Sequence, residues 1–123
     1  MDSSGWIEIF TDGPLRRDFR SWIDQADEVL VPTLVVYEVY KVIRRGASED
    51  EADQAIARLR QCTVVPLDDA LAVEAADFSL QRGLAMADAV VYATAQAQGV
   101  PLVTSDRHFQ GLPGVEYIPS PAE

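Results

Sequence analysis

An α/β fold in three layers, with a central mainly parallel sheet between helices on both faces, is predicted by three observations. Short apolar, β-branched runs at 28–32, 63–66 and 102–104 alternate with stretches of helical periodicity. Cap residues and glycines punctuate those stretches. The chain has 123 residues, 48% of them hydrophobic, enough for one core, so residues 1–123 are expected to form a single domain.

Each element has a local reason. Leu15, Phe19, Trp22 and Ile23 fall on one face of a helix opening after Gly13-Pro14 and are expected to be buried together. The run Glu28-Val29-Leu30-Val31-Pro32 reads as a strand stopped by proline, with Thr33 placed to cap a helix over 34–45. Gly46 suits the position after that helix, and Ser48 with Glu51 forms a capping box opening the next one. That helix buries Ala52, Ala55, Ile56 and Leu59, and a second strand, Thr63-Val64-Val65-Pro66, follows. Asp69 is expected to cap a helix to Arg82 ended by Gly83, and a further helix over 86–98 ends at Gly99. Leu102-Val103-Thr104 is a third strand and Val115-Glu116-Tyr117-Ile118 a last short one. Crossovers between parallel strands are right-handed, which limits the topologies available.

Composition narrows the function. Acids outnumber bases 20 to 10, for a formal charge of −10, the wrong sign for a general polyanion binder. The single cysteine, Cys62, excludes an intramolecular disulfide and a thiolate metal site, and a reducing, cytoplasmic setting is expected. No run approaches a membrane span, and the N-terminus lacks the basic and apolar regions of a signal peptide, so no membrane association or export is expected.

Ligands of open parallel sheets bind beyond the carboxyl ends of the strands. Eight acids between 46 and 80 read as a solvated helix surface, whereas Asp2, Glu38, Asp88 and Asp106 stand at strand ends or in the first turns of following helices. Each has an ordinary alternative. Glu38 is spaced with Lys41 and Arg45 as a water-facing polar stripe, Asp88 suits the dipole of a helix N-terminus, and Asp106 is a common turn acid. Together they are more telling. At about 4 Å and an effective dielectric near 20, each ionised pair repels by about 4 kcal/mol, and a cation removes that conflict. Oxygen donors with one histidine favour Mg²⁺ or Mn²⁺ and disfavour zinc.

Four segments, Asp2-Ser3-Ser4-Gly5, Val31 to Val39, Ala87-Asp88-Ala89-Val90-Val91 and Leu102-Val103-Thr104-Ser105-Asp106-Arg107-His108-Phe109, resemble the PIN-domain ribonucleases, most closely the VapC toxins of toxin–antitoxin pairs. The resemblance spans nearly the whole chain in order. It implies a Mg²⁺- or Mn²⁺-dependent endoribonuclease whose catalytic, metal-holding acids are Asp2, Glu38, Asp88 and Asp106, with Thr104 and Ser3 in support. Such a site would activate water and neutralise charge on the phosphate, leaving 5′-phosphate and 3′-hydroxyl ends. The resemblance also implies an RNA substrate, a cognate antitoxin and a homodimer. Arg107, Arg16 and Arg44 are the expected RNA contacts, although arginines on helix surfaces are ordinarily just solvated. One departure stands out: relatives carry an apolar strand before the first acid, and here only Met1 precedes Asp2. That departure supports the alternative of a catalytically inactive PIN-like protein-binding module. A phosphoacceptor receiver domain fits less well, since Asp2 has no adjacent second acid and the late strand offers Thr104-Ser105-Asp106 where a lysine belongs. His108 and Cys62 have no evident partners in sequence and are expected to be structural.

Overall fold

Helices and short strands alternate in the expected order. The computed structural model describes residues 1–121, so the last two positions of the expected domain lie outside the described residues. The elements are α1 (Ser3–Phe10), α2 (Arg16–Gln25), β1 (Leu30–Pro32), α3 (Thr33–Gly46), α4 (Glu49–Leu59), β2 (Thr63–Val65), α5 (Asp69–Arg82), α6 (Met86–Gln98), β3 (Leu102–Thr104), a 3-10 turn (Arg107–Phe109) and β4 (Val115–Tyr117).

Capping explains several of the boundaries. Ser48 Oγ accepts the Glu51 amide at 3.1 Å and opens α4 as expected. The cap of α5 is Asp68, one residue earlier than expected, whose Oδ1 accepts the Leu71 amide at 2.8 Å. Thr33 is the first residue of α3 and not its cap, because Pro32 already supplies the extended backbone that starts the helix. Gly83 and Gly99 end α5 and α6 in the left-handed region, at φ 70° and 65°.

α6 is the central helix. Seven successive residues, Ala89 to Ala95, are buried, as expected of a helix apolar all round. α5 packs against it, with the Phe78 and Tyr92 rings edge to face at 4.9 Å, while α3 packs against α4, α1 and α6. Val35, Val39 and Ile43 form the buried stripe of α3. The early helix departs from expectation in one residue: Leu15 and Phe19 are buried and Ile23 packs on the core, but Trp22 is 38% exposed. Trp6 fills the interior instead, stacked on Phe10 at 5.7 Å, because α1 lies across α2 and α3. Gly5 permits that approach, since a Cβ there would collide with the side chains of Met1 and Phe19.

The strands form two parallel ribbons. β1 pairs with β2, Leu30 opposite Thr63, and β3 pairs with β4, Leu102 opposite Val115. An apolar groove lined by Met1, Val29, Leu30, Val100, Pro101 and Val103 separates them. At β3 the Asp2 amide donates to the Val103 carbonyl at 3.3 Å. Among the described residues, no helix is long and apolar enough to cross a membrane.

Candidate metal centre

Two of the acids singled out in sequence, Glu38 and Asp106, are placed by elements that begin where parallel strands end, and Asp2 and Asp88 stand at the starts of α1 and α6. Asp2 precedes α1 in extended conformation, Glu38 lies in the second turn of α3 just after β1, Asp88 in the first turn of α6, and Asp106 caps the 3-10 turn after β3. Glu38 is half-buried, while Lys41 and Arg45, its partners in the supposed polar stripe, are exposed. That difference sets it apart from a solvated helix face.

Asp2 is the most deeply held, at 5% exposure. Its Oδ1 accepts the Ser4 hydroxyl at 2.6 Å and its Oδ2 the Thr104 hydroxyl at 2.8 Å. Both hydroxyls also serve the strand end, since Thr104 Oγ1 accepts the Asp106 amide at 2.9 Å and Ser4 Oγ accepts the Ser105 amide at 3.2 Å. Thr104 therefore joins the first acid to the last. Ser3, the other expected supporter, hydrogen-bonds the Glu38 carboxylate.

The tightest group comprises Asp88, Asp106 and His108, each offering a ligand atom within 4.8 Å of the others. Glu38 and Asp2 stand outside that radius, yet the Glu38 carboxyl feels the charges of Asp2, Asp88 and Asp106. His108, which has no evident partner in sequence, has two in the structure. Expected to be structural, it places Nδ1 3.2 Å from Asp88 Oδ2 and 3.2 Å from Asp106 Oδ1. A histidine two residues after a strand-end acid was the available signal, but only the turn shows where the ring goes. The expected RNA contacts also meet groups of their own chain. Arg44 pairs with Glu49 at 3.1 Å, Arg16 reaches the Gly13 carbonyl at 3.0 Å, and Arg107 opens the turn beside Asp106.

Electrostatics mark the centre as short of positive charge. Burial pushes the Asp2 carboxyl up, against the hydroxyls of Ser4 and Thr104. Burial also raises Glu38, with the charges of the three other acids adding to it, and raises Asp88 together with the charge of Asp106. Carboxyls whose folded values lie above the unfolded value of about 4 keep protons that the unfolded chain releases. They support folding most fully below that value and lose this contribution as pH rises through the raised ones. The metal-free protein is therefore expected to melt lower than its Glu38→Gln variant by a margin that widens from about pH 4 to about pH 7. A divalent cation should close that margin. A margin independent of pH and cation would contradict the crowding of these carboxylates.

The donor set, several crowded carboxylates and one imidazole with no thiolate, fits a divalent cation bound mainly through oxygen. The PIN domain family model matches residues 1–115. The chain belongs to the PIN domain family. Among solved structures, this PIN domain is similar to a chain of a toxin–antitoxin complex from Klebsiella pneumoniae, with a TM-score of 0.77 and 21% identity over 95% of this chain and 97% of that one. It is also similar to VapC20 of Mycobacterium tuberculosis, a sarcin–ricin loop cleaving toxin, with a TM-score of 0.70 and 19% identity over 89% and 88%. At such identities the likeness is one of fold, and it bears out the α/β class expected from sequence. No curated protein matches the sequence significantly.

Proposed function

We propose that this PIN domain is a divalent-metal-dependent endoribonuclease of the VapC toxin type, neutralised by a cognate antitoxin. The observation that carries this reading is the close approach of Asp88 and Asp106, with Glu38 near enough to feel their charges and Asp2 tied to the same strand end through Thr104. Asp88 and Asp106 would hold Mg²⁺ or Mn²⁺ most directly, with Glu38 and Asp2 completing the negative field. A bound ion supplies Lewis-acid charge that makes water a better nucleophile and offsets charge gathering on the phosphate. The chain's own contribution is positioning. Thr104 and Ser4 fix the Asp2 carboxylate, Ser3 steadies Glu38, and the 3-10 turn fixes Asp106 through its bond to the His108 amide at 2.9 Å.

The partners follow from the same reading. Substrate RNA approaches an acidic body, so binding depends on the bound ion and on a few local bases such as Arg107, Arg16 and Arg44, and weakens as salt rises. The acidic rim suits a basic antitoxin tail. Exposed Val73, Leu80 and Met86 offer apolar surface to a second copy in a homodimer, and the setting is cytoplasmic.

The test is cleavage of a defined pool of transfer and ribosomal RNA by the antitoxin-free protein, with Mg²⁺ or Mn²⁺ against EDTA. Cuts that need the ion and carry 5′-phosphate and 3′-hydroxyl ends are expected. A 2′,3′-cyclic phosphate would overturn the mechanism, and no cleavage by folded, ion-loaded protein would favour an inactive protein-binding module.

A further inference from the structure

We propose that His108 is itself a ligand of the metal centre and that it biases the centre away from Mg²⁺ toward a first-row transition ion such as Mn²⁺. The inference rests on the metal-dependent reading above and adds an imidazole nitrogen to a set otherwise made of carboxylates.

Spacing is the first argument. Nδ1 of His108 is 3.2 Å from one oxygen of Asp88 and 3.2 Å from one oxygen of Asp106. In an octahedral site with metal–ligand bonds of about 2.1 Å, neighbouring ligand atoms sit about 3 Å apart. One ion therefore reaches all three residues with small adjustments of their side chains.

Rigidity is the second. The His108 amide donates to Asp106 Oδ1 at 2.9 Å, and the next residue, Phe109, is 1% exposed and anchored in the core. The turn thus holds the ring over the carboxylates even though the side chain is 73% exposed and free of packing that would demand a histidine there. An exposed ring held against two acids is accounted for better by a ligand than by a core-filling role.

Donor chemistry is the third. Carboxylate oxygens suit Mg²⁺ and Mn²⁺ alike, whereas an imidazole nitrogen adds little for the hard Mg²⁺ and more for first-row divalent transition ions, of which Mn²⁺ gains least. A mixed set of this kind discriminates between two ions that an all-carboxylate set treats similarly.

The chain has one histidine, which makes the test specific. Untagged protein is loaded with Mn²⁺ alone and examined by electron spin echo modulation for a directly coordinated imidazole nitrogen, while Mn²⁺ and Mg²⁺ affinities are titrated for the native chain and His108→Ala. The expected result is nitrogen modulation in the native protein that is lost in the variant, with Mn²⁺ affinity falling by about tenfold or more, the loss that even a partner behind a ligand typically causes, and Mg²⁺ affinity nearly unchanged. His108→Gln should behave like His108→Ala. Tight Mn²⁺ binding without nitrogen modulation, or equal affinities in native and variant, would overturn the ligand role and leave the nuclease reading standing. Failure of the folded native protein to bind either ion would overturn both.

Discussion

Asp88→Asn is expected to lower RNA cleavage by about 10²- to 10³-fold while leaving the metal-free protein at least as stable as the native one. The amide keeps the volume of the carboxyl but removes its charge. Asp88 is raised by burial and by the charge of Asp106, so in the absence of a cation its ionised form is a liability to the fold. Neutralising it relieves repulsion and at the same time removes a donor from the tightest ligand group. Initial cleavage rates at saturating Mn²⁺, beside urea denaturation without metal, separate the two effects. Lost activity with lost stability would instead make Asp88 a structural acid at the N-terminus of α6.

Thr104→Val is expected to destabilise the fold by about 2 to 4 kcal/mol, from a buried and a part-buried partner each losing a bond valued at about 1 to 2 kcal/mol. Valine replaces the threonine's volume but neither donates to Asp2 Oδ2 nor accepts from the Asp106 amide, bonds of 2.8 and 2.9 Å at a fully buried position. Cleavage should fall as well, since Asp2 and Asp106 are no longer linked. Thr104→Ser keeps the hydroxyl and should recover most of both losses. Urea midpoints and cleavage rates of the two variants check this, and a loss in Thr104→Val below about 0.5 kcal/mol would show that the hydroxyl does not hold the strand end together.

Local chemistry made much of this molecule legible from its sequence. The cap at Ser48, the left-handed glycines 83 and 99, and the apolar run of α6 all act within a few residues, so the elements they bound are readable directly. The Asp68 cap shows the limit: with two adjacent aspartates, the choice depends on backbone that neither residue sets alone. Nothing in Ser3–Phe10 marks a helix strongly, and burial of Trp6 against neighbouring helices decides that segment. The exposure of Trp22 follows from the same packing. The separation of the sheet into two ribbons has a different cause. Each strand is readable, but which strands pair, β1 with β2 and β3 with β4, is decided by contacts remote in sequence.

The centre divides in the same way. Four acids at strand ends and the hydroxyl at Thr104 are visible as positions in an α/β pattern, because topology brings such ends together. The place of His108 depends on a turn after β3 that brings its ring back to the start of α6, a contact across 20 positions of sequence. Ser4 was part of a recognisable motif, but its bond to the Ser105 amide spans 101 positions and has no local signature.

The bond between Thr104 and Asp2 spans 102 positions and links nearly the whole described chain. Contacts so remote in sequence form late, because loop closure precedes any gain from them. Synthesis proceeds from the N-terminus at about 5 to 20 residues per second, so Asp2 leaves the ribosome several seconds before the threonine that fixes it. A chain halted before β3 would hold Asp2 and Glu38 without Asp106 or the hydroxyl clamp. The Asp2 clamp therefore waits on the synthesis of β3, whatever the earlier elements have already formed. One hydroxyl thus ties the formation of the first acid's setting to that of the last strand-end turn.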